Sequence, residues 1–140
     1  MRTVLDTNVV VAALRSPTGA SAELLRRARA GELTVVASVS LAMEYQAVCS
    51  REEHVRASRL SRKEVQSFLD AVISFIEPVD IWFLWRPQLR DPSDELVLEA
   101  AVNGRASAIV TFNQRDFEPS ARLFGVELWI PRQALEKLRA

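Results

Sequence analysis

The stretch Thr3-Val4-Leu5-Asp6-Thr7-Asn8 opens the chain, and the apolar run 9–14 follows it directly. The residues before Asp6 favour a buried β-strand, whereas Asp, Thr and Asn are typical of turns and helix starts. We therefore predict a strand that ends at Asp6 and a helix that begins near Asn8. Asp6 would then lie at the carboxyl end of a strand, where open parallel sheets bind their ligands. Taken alone, the same carboxylate could simply cap the helix.

The alternation of strand and helix continues to the end of the chain. Further strands are predicted over residues 33–37, 77–85, 108–112 and 126–130, with helical patterns between them. Strands that alternate with helices form a parallel sheet covered on both faces. The expected fold class is therefore α/β, a three-layer α/β/α arrangement with about five parallel strands, in a single domain over residues 1–140.

Composition excludes several classes of protein. The chain is 49% hydrophobic and 26% charged with zero formal charge, which is typical of a globular domain without a global basic field. No apolar run approaches the roughly 20 residues that span a bilayer, and Asp6 comes too early for a signal peptide. The single cysteine, Cys49, excludes an internal disulfide and favours a cytoplasmic location. With one histidine, His54, the chain cannot build a Cys/His zinc site or a conventional catalytic triad.

Acidic and amide residues follow the predicted strands or begin the helices beyond them. They are Asp6, Glu44, Asp91, Asp94, Glu95, Asn113 and Asp116. The parallel topology places all of them at the carboxyl edge of the sheet. Carboxylates that converge repel each other unless a cation lies between them, and oxygen ligands without Cys or His select Mg²⁺ or Mn²⁺. Such a site suits phosphodiester hydrolysis.

Each acidic residue also has a simpler interpretation. Glu44 is the single charged residue between positions 33 and 50, and it either faces solvent or binds a cation. The segment Asp91-Pro92-Ser93-Asp94 makes a good helix start without any metal. Asn113 and Asp116 are equally suited to Asx turns.

Four segments together resemble PIN-domain proteins. They are Val4-Leu5-Asp6-Thr7-Asn8-Val9, Glu44, Arg90-Asp91-Pro92-Ser93-Asp94 and the stretch 110–117, which spread over essentially the whole chain. The resemblance is strongest to the toxin components of toxin–antitoxin systems of the VapC type. It implies an acidic set that binds Mg²⁺ or Mn²⁺ and cuts RNA, with Asp6, Glu44 and Asp94 as its acids and Asp91 as an acidic neighbour. It also implies a homodimer and a cognate antitoxin.

The chain departs from the family pattern after the fourth strand. Many members have Thr-x-Asp there, whereas this chain reads Thr111-Phe112-Asn113. Asp116, three residues further on, is the candidate for the missing charge, so that both Asn113 and Asp116 are predicted near the metal. This departure from the family pattern concerns a second metal position more than the first.

Arginines are expected beside the acidic edge. Arg86, Arg90, Arg105 and Arg115 are close in sequence to the acidic motifs, and we assign Arg90 and Arg115 to RNA phosphates, although each side chain could equally be a solvated surface group.

The remaining conspicuous side chains have structural interpretations. Trp82, Trp85 and Trp129 are predicted core residues, with base stacking or a dimer interface as the alternative. Cys49 and the two methionines are also predicted in the core, and His54 on the surface.

Four functions compete for this acidic edge. The first is a Mg²⁺-dependent endoribonuclease. Receiver domains and haloacid-type phosphotransferases also bind Mg²⁺ at strand ends, but they need a nearby lysine, and this chain has only Lys63 and Lys137, both on predicted helices. The alternative from another class is a non-catalytic PIN-like module that binds RNA or protein, and Asn113 keeps it open.

Overall fold

A parallel sheet with the strand order β3-β2-β1-β4-β5 lies at the centre of the fold. Its strands are β1 (Arg2–Leu5), β2 (Thr34–Ala37), β3 (Ile76–Pro78), β4 (Ala108–Val110) and β5 (Glu127–Trp129). The computed structural model describes residues 1–82 and 89–139, and all four strand pairings in it are parallel. The expected α/β class with five parallel strands is therefore confirmed.

Eight helices connect and cover the strands in the described part of the chain. They are α1 (Thr7–Arg15), α2 (Ala20–Arg29), α3 (Val39–Cys49), α4 (Glu52–Ser58), α5 (Arg62–Ser74), α6 (Pro92–Asn103), α7 (Ser120–Leu123) and α8 (Pro131–Arg139). The chain runs from β1 outward to β3 and then returns to place β4 on the other side of β1. Right-handed crossovers with this order put the helices before and after β3 on opposite faces of the sheet. The reversal leaves a switch point between β1 and β4.

Local sequence signals fix the starts of several helices. The Ser38 hydroxyl accepts the Leu41 N–H at 3.1 Å and caps α3. Ser61 and Glu64 form a capping box at the start of α5. Pro131 is the first residue of α8, as its missing N–H favours.

The core lies around the central strand. Val4 and Leu5 of β1 are fully buried, and so are Val36 of β2, Ile109 of β4 and Val9 of α1. Burying each such side chain contributes about 1.5–3 kcal/mol relative to exposure. The strand that ends on Asp6 is therefore held on both sides and both faces.

The third strand is shorter than the sequence predicts. It covers Ile76–Pro78, the described residues 79–82 are not in a strand, and the predicted residues 83–85 lie outside the described residues. The reason lies in its neighbour: β2 ends at Ala37, which is paired with Pro78, and the Val79 N–H makes a last bond to the Ala37 carbonyl at 3.0 Å. Beyond that point the described residues 79–82 make no further strand pairing.

Some side-chain predictions are wrong in the described part of the chain. Trp82 is 78% exposed rather than in the core, because it follows the end of the edge strand, and Trp85 lies outside the described residues. Both methionines are exposed; Met43 lies on the face of α3 opposite to the buried Leu41 and Tyr45.

Three other side-chain predictions have clear outcomes. Trp129 is buried as predicted, with the Lys137 ammonium 5.7 Å from the centre of its ring. Cys49 is fully buried, and burial raises the pKa of its thiol to about 12. The predicted surface position of His54 is wrong, because its side chain is only 15% exposed where α4 lies against α1 and α3.

No helix in the described residues is long and apolar enough to cross a membrane.

Candidate active site

Asp6 lies at the carboxyl end of the central strand and is 7% exposed. Its N–H donates to the Val110 carbonyl of β4 at 2.9 Å, which continues the β1–β4 pairing by one residue. Asp6 is the N-cap residue of α1, but its side chain makes no capping hydrogen bond. Its carboxylate instead accepts the Thr111 hydroxyl at 2.7 Å. The capping interpretation therefore does not account for this carboxylate.

Thr111 connects the loop after β4 to the end of β1. It is fully buried, and its Oγ1 donates to Asp6 Oδ2 while accepting the Asn113 N–H at 2.9 Å. A 3-10 turn over Gln114–Asp116 follows and carries the exposed Asp116. In the sequence, Thr111 is only the first residue of the Thr-x-Asp pattern. Its hydrogen-bond partner, Asp6, lies 105 positions earlier, so the bond cannot be inferred from local sequence.

Two further aspartates come from the start of α6. Asp91 is its N-cap, and Asp91 Oδ1 accepts the Ser93 N–H at 2.8 Å, as the helix-start interpretation predicts. Asp94 stands one turn later and is half-buried. Asp91, Asp94 and Asp116 line one open cavity of about 530 Å³, together with Arg90 and Arg115. Asp91 therefore caps α6 and also lies at the acidic edge.

The charges of these aspartates act on one another. Burial, followed by the charges of Asp6, Asp91, Asp116 and Glu95, raises the pKa of Asp94 to about 7. The pKa of Asp6 is also raised, mainly by burial and further by Asp116 and Asp91, although the hydrogen bonds from Thr111 and the Thr7 backbone oppose this. We call Asp6, Asp91, Asp94 and Asp116 the aspartate cluster.

In the described part of the chain, no arginine, lysine or histidine is paired with the negative charge of the aspartate cluster. Within residues 1–82 and 89–139, none of its four members forms an ion pair. Glu95 differs from them: it is buried, and its Oε1 accepts the Leu89 N–H at 2.6 Å, so it supports the segment before α6.

Glu44 lies beside the aspartate cluster and contacts it through a serine. It is half-buried on α3, and its Oε1 accepts the Ser93 hydroxyl at 3.2 Å. Ser93 immediately precedes Asp94, so this bond joins α3 to the start of α6. The sequence does not single out Ser93, because it resembles an ordinary residue of a helix start.

The cluster fits a hard cation in chemistry but is more open than a closed metal site. Oxygen donors with an uncompensated negative charge are the kind that Mg²⁺ and Mn²⁺ bind. In the part of the chain that the structure describes, however, no three acidic, histidine or cysteine side chains meet around one point. Closing on an ion therefore requires the carboxylates to turn inward.

The predicted arginines divide into two groups. Arg90 and Arg115 line the cavity, and neither forms an ion pair with another described residue. The expectation for Arg105 is wrong: it follows α6, just before β4, and so lies at the opposite edge of the sheet. Arg86 lies outside the described residues.

Comparison with known proteins supports the family resemblance. The family described as PIN domain matches residues 2–115. The chain belongs to the PIN-domain family. Of the predicted site residues in this PIN domain, only Asp116 lies beyond the matched range. No curated protein matches the chain.

A solved structure has a similar fold. It is that of VapBC2 from Rickettsia felis bound to a DNA fragment from their promoter, with a TM-score of 0.63 and 20% sequence identity. The similarity covers 91% of this chain and 97% of the other. At this identity the similarity concerns the fold of the PIN domain alone.

Proposed function

We propose that this PIN domain is a Mg²⁺- or Mn²⁺-dependent endoribonuclease that hydrolyses RNA phosphodiester bonds. The observation that supports this most is the aspartate cluster at the switch point, which forms no ion pair with a described residue. Three of its members, Asp91, Asp94 and Asp116, line one cavity with Arg90 and Arg115. Carboxylates bind the cation, and the two guanidinium groups bind the phosphates of the chain to be cut.

Each residue has a definite task in this proposal. Asp6, Glu44, Asp94 and Asp91 hold the ion, and the loop after β4 adds Asp116 or Asn113. A divalent ion held there would supply polarisation of the phosphate and a lower pKa of the attacking water. Thr111 keeps the Asp6 carboxylate oriented through its 2.7 Å hydrogen bond. Arg90 and Arg115 orient the RNA and offset phosphate charge.

The direct test is cleavage of mixed RNAs by the purified full chain, with Mg²⁺, with Mn²⁺ and with a chelator. We expect cleavage that requires the ion and spares single-stranded DNA of the same sequences. RNA binding without cleavage at any metal concentration would instead identify the chain as a non-catalytic PIN-like module. The open arrangement of the carboxylates and Asn113 are the features that favour this second function.

We further propose that the enzyme is the cytoplasmic toxin of a type II toxin–antitoxin pair and acts as a homodimer. The resemblance to VapC-type toxins and the shared fold with VapBC2 of Rickettsia felis support this. Induced expression in a bacterial host should then arrest growth, and expression of an inactive variant should not.

Glu44→Gln is expected to weaken Mn²⁺ binding by about 10-fold or more while the fold stays intact. Glutamine keeps an oxygen that can accept the Ser93 hydroxyl, but it removes one negative charge from the edge of the aspartate cluster. Without metal, the loss of repulsion should leave the melting temperature unchanged or higher.

Calorimetric titration with Mn²⁺ and thermal melts in chelator measure both effects. Glu53→Gln is the matched control, since that side chain is 71% exposed on α4. A clear drop in the metal-free melting temperature of Glu44→Gln would show that Glu44 is a structural residue.

The pKa of Asp94 predicts how stability without metal depends on pH. Its pKa is about 7 in the folded state against 3.8 for an ordinary aspartate. Between these values the unfolded chain has lost the proton and the folded chain retains it, so rising pH favours unfolding. We therefore expect the melting temperature in chelator to fall from pH 4 to pH 7. Above pH 7 the ionisation of Asp94 should cause no further loss of stability.

Thermal melts of wild type and Asp94→Asn across this pH range test the assignment. The asparagine cannot titrate, so the variant should lose less stability than wild type over the same interval. An identical pH profile for the two proteins would contradict it.

A further inference from the structure

Tyr45 is the one tyrosine of the chain and lies fully buried on α3, next to Glu44. Its hydroxyl donates a hydrogen bond to the Leu5 carbonyl, 40 positions earlier. Leu5 is the last residue of β1, so this bond joins α3 to the exact strand end that carries Asp6.

The peptide group between Leu5 and Asp6 is thereby held at both ends. Its N–H, that of Asp6, donates to Val110 of β4. In a trans peptide the carbonyl points to the opposite side, here toward β2. Strand β2 ends at Ala37, where the chain turns into α3, and it is the hydroxyl of Tyr45 that donates to this carbonyl.

The same hydroxyl lies close to the charge of Asp6. Burial raises the pKa of Tyr45 well above its usual range, and the Asp6 carboxylate raises it further. Tyr45 therefore remains a protonated donor at any working pH. Thr111 holds the carboxylate and Tyr45 holds the backbone, so Asp6 is fixed at once from the loop after β4 and from α3.

We propose that Tyr45 is a positioning residue for the metal site. By anchoring the Leu5–Asp6 peptide to α3, it sets the separation between Asp6 and Glu44, the neighbouring residue on that helix. This inference rests on the proposed function, because it assumes that Asp6 and Glu44 hold a common cation.

Tyr45→Phe removes the hydroxyl and keeps the ring in the core. We expect the dissociation constant for Mn²⁺ to rise about 10-fold, as for other groups that orient metal ligands. The kcat for RNA cleavage should fall at subsaturating metal, whereas KM for RNA should stay unchanged because the arginines of the cavity are not affected.

Thr3→Val is the matched control. Thr3 is fully buried at the other end of the same strand, and its hydroxyl donates to the Thr34 carbonyl at 3.3 Å. Both variants lose one hydroxyl-to-carbonyl bond made by a fully buried residue, so both should melt a few degrees lower. Only Tyr45→Phe should weaken Mn²⁺ binding; equal Mn²⁺ affinity in wild type, Thr3→Val and Tyr45→Phe would overturn the inference.

If Tyr45→Phe is unstable, a measurement on the chain with Tyr45 retained tests the same inference. Since there is one tyrosine, biosynthetic 3-fluorotyrosine labels position 45 alone. Titration with Mg²⁺ should shift its ¹⁹F resonance with the same midpoint as a calorimetric titration with Mg²⁺, and a resonance that stays still at saturation would refute the coupling. A wild-type chain that neither binds Mn²⁺ nor cuts RNA would instead refute the proposed function.

Discussion

Asp6→Asn is expected to lower the rate of RNA cleavage by on the order of 100-fold or more, because it removes the charge that the site holds most rigidly. Asp6 is nearly buried, hydrogen-bonded by Thr111 and flanked by Asp91 and Asp116. Asparagine has the same shape and keeps an oxygen for the Thr111 hydroxyl. The loss of activity should therefore not come from a loss of fold.

Stability without metal provides the second half of this prediction. The pKa of Asp6 is raised, mainly by burial. The ionised carboxylate of Asp6 therefore lowers the free energy of unfolding near neutral pH. Asp6→Asn should thus melt at the same temperature as wild type or higher in chelator. A variant that is inactive but more stable identifies Asp6 as a metal ligand, because replacing a structural residue would lower both activity and stability.

Single-turnover cleavage at several Mn²⁺ concentrations and melts in chelator measure the two effects. Asp70→Asn serves as the control, since Asp70 is an exposed residue of α5 whose side chain accepts a hydrogen bond from Gln66. Unchanged cleavage by Asp6→Asn would remove Asp6 from the proposed mechanism, and a clear loss of stability would give it a structural role.

The parts of the fold that were predictable depend on local chemistry. Strand β1 and its end at Asp6 follow from β-formers that give way to turn residues, and the cap of α6 follows from Asp91 and Pro92. Because every strand is parallel, local knowledge of where each strand ends suffices to place Asp6, Asp94 and Asp116 at one edge.

The parts that were not predictable depend on which strands are neighbours. The Thr111–Asp6 bond requires β4 beside β1, and the Tyr45–Leu5 bond requires α3 to pass the end of β1. In the sequence Tyr45 is only one more core position on an apolar helix. The length of β3 is set by where β2 stops, so its own apolar residues could not reveal it.

The wrong placement of Arg105 has a similar cause. Arg90 and Arg105 stand at the two ends of the same helix, α6, which is about 18 Å long for its 12 residues. Closeness in sequence to an acidic motif therefore does not imply closeness in space when a helix intervenes. Arg115 is in the cavity because it follows a strand directly.

Asp116→Asn is expected to lower cleavage at least about 10-fold, because Asp116 supplies the charge that Asn113 lacks. Asp116 lines the cavity with Asp91 and Asp94, and its charge raises the pKa values of both Asp6 and Asp94. Asn113, by contrast, donates its backbone N–H to Thr111 and brings no charge. An amide oxygen can ligate Mg²⁺, but it does not compensate the charge of the ion.

Moving the charge back to position 113 separates the two residues. The double variant Asn113→Asp/Asp116→Asn restores the net charge at the position that other family members use, and it should recover Mn²⁺ affinity and cleavage relative to Asp116→Asn. Glu118→Gln is the matched control: Glu118 lines the same cavity but is not one of the proposed metal ligands, so this change should be nearly silent. If Asp116→Asn is as silent as Glu118→Gln, Asp116 points away from the ion in the working enzyme. Asn113 would then complete the site by itself, and Asn113→Asp alone should tighten metal binding.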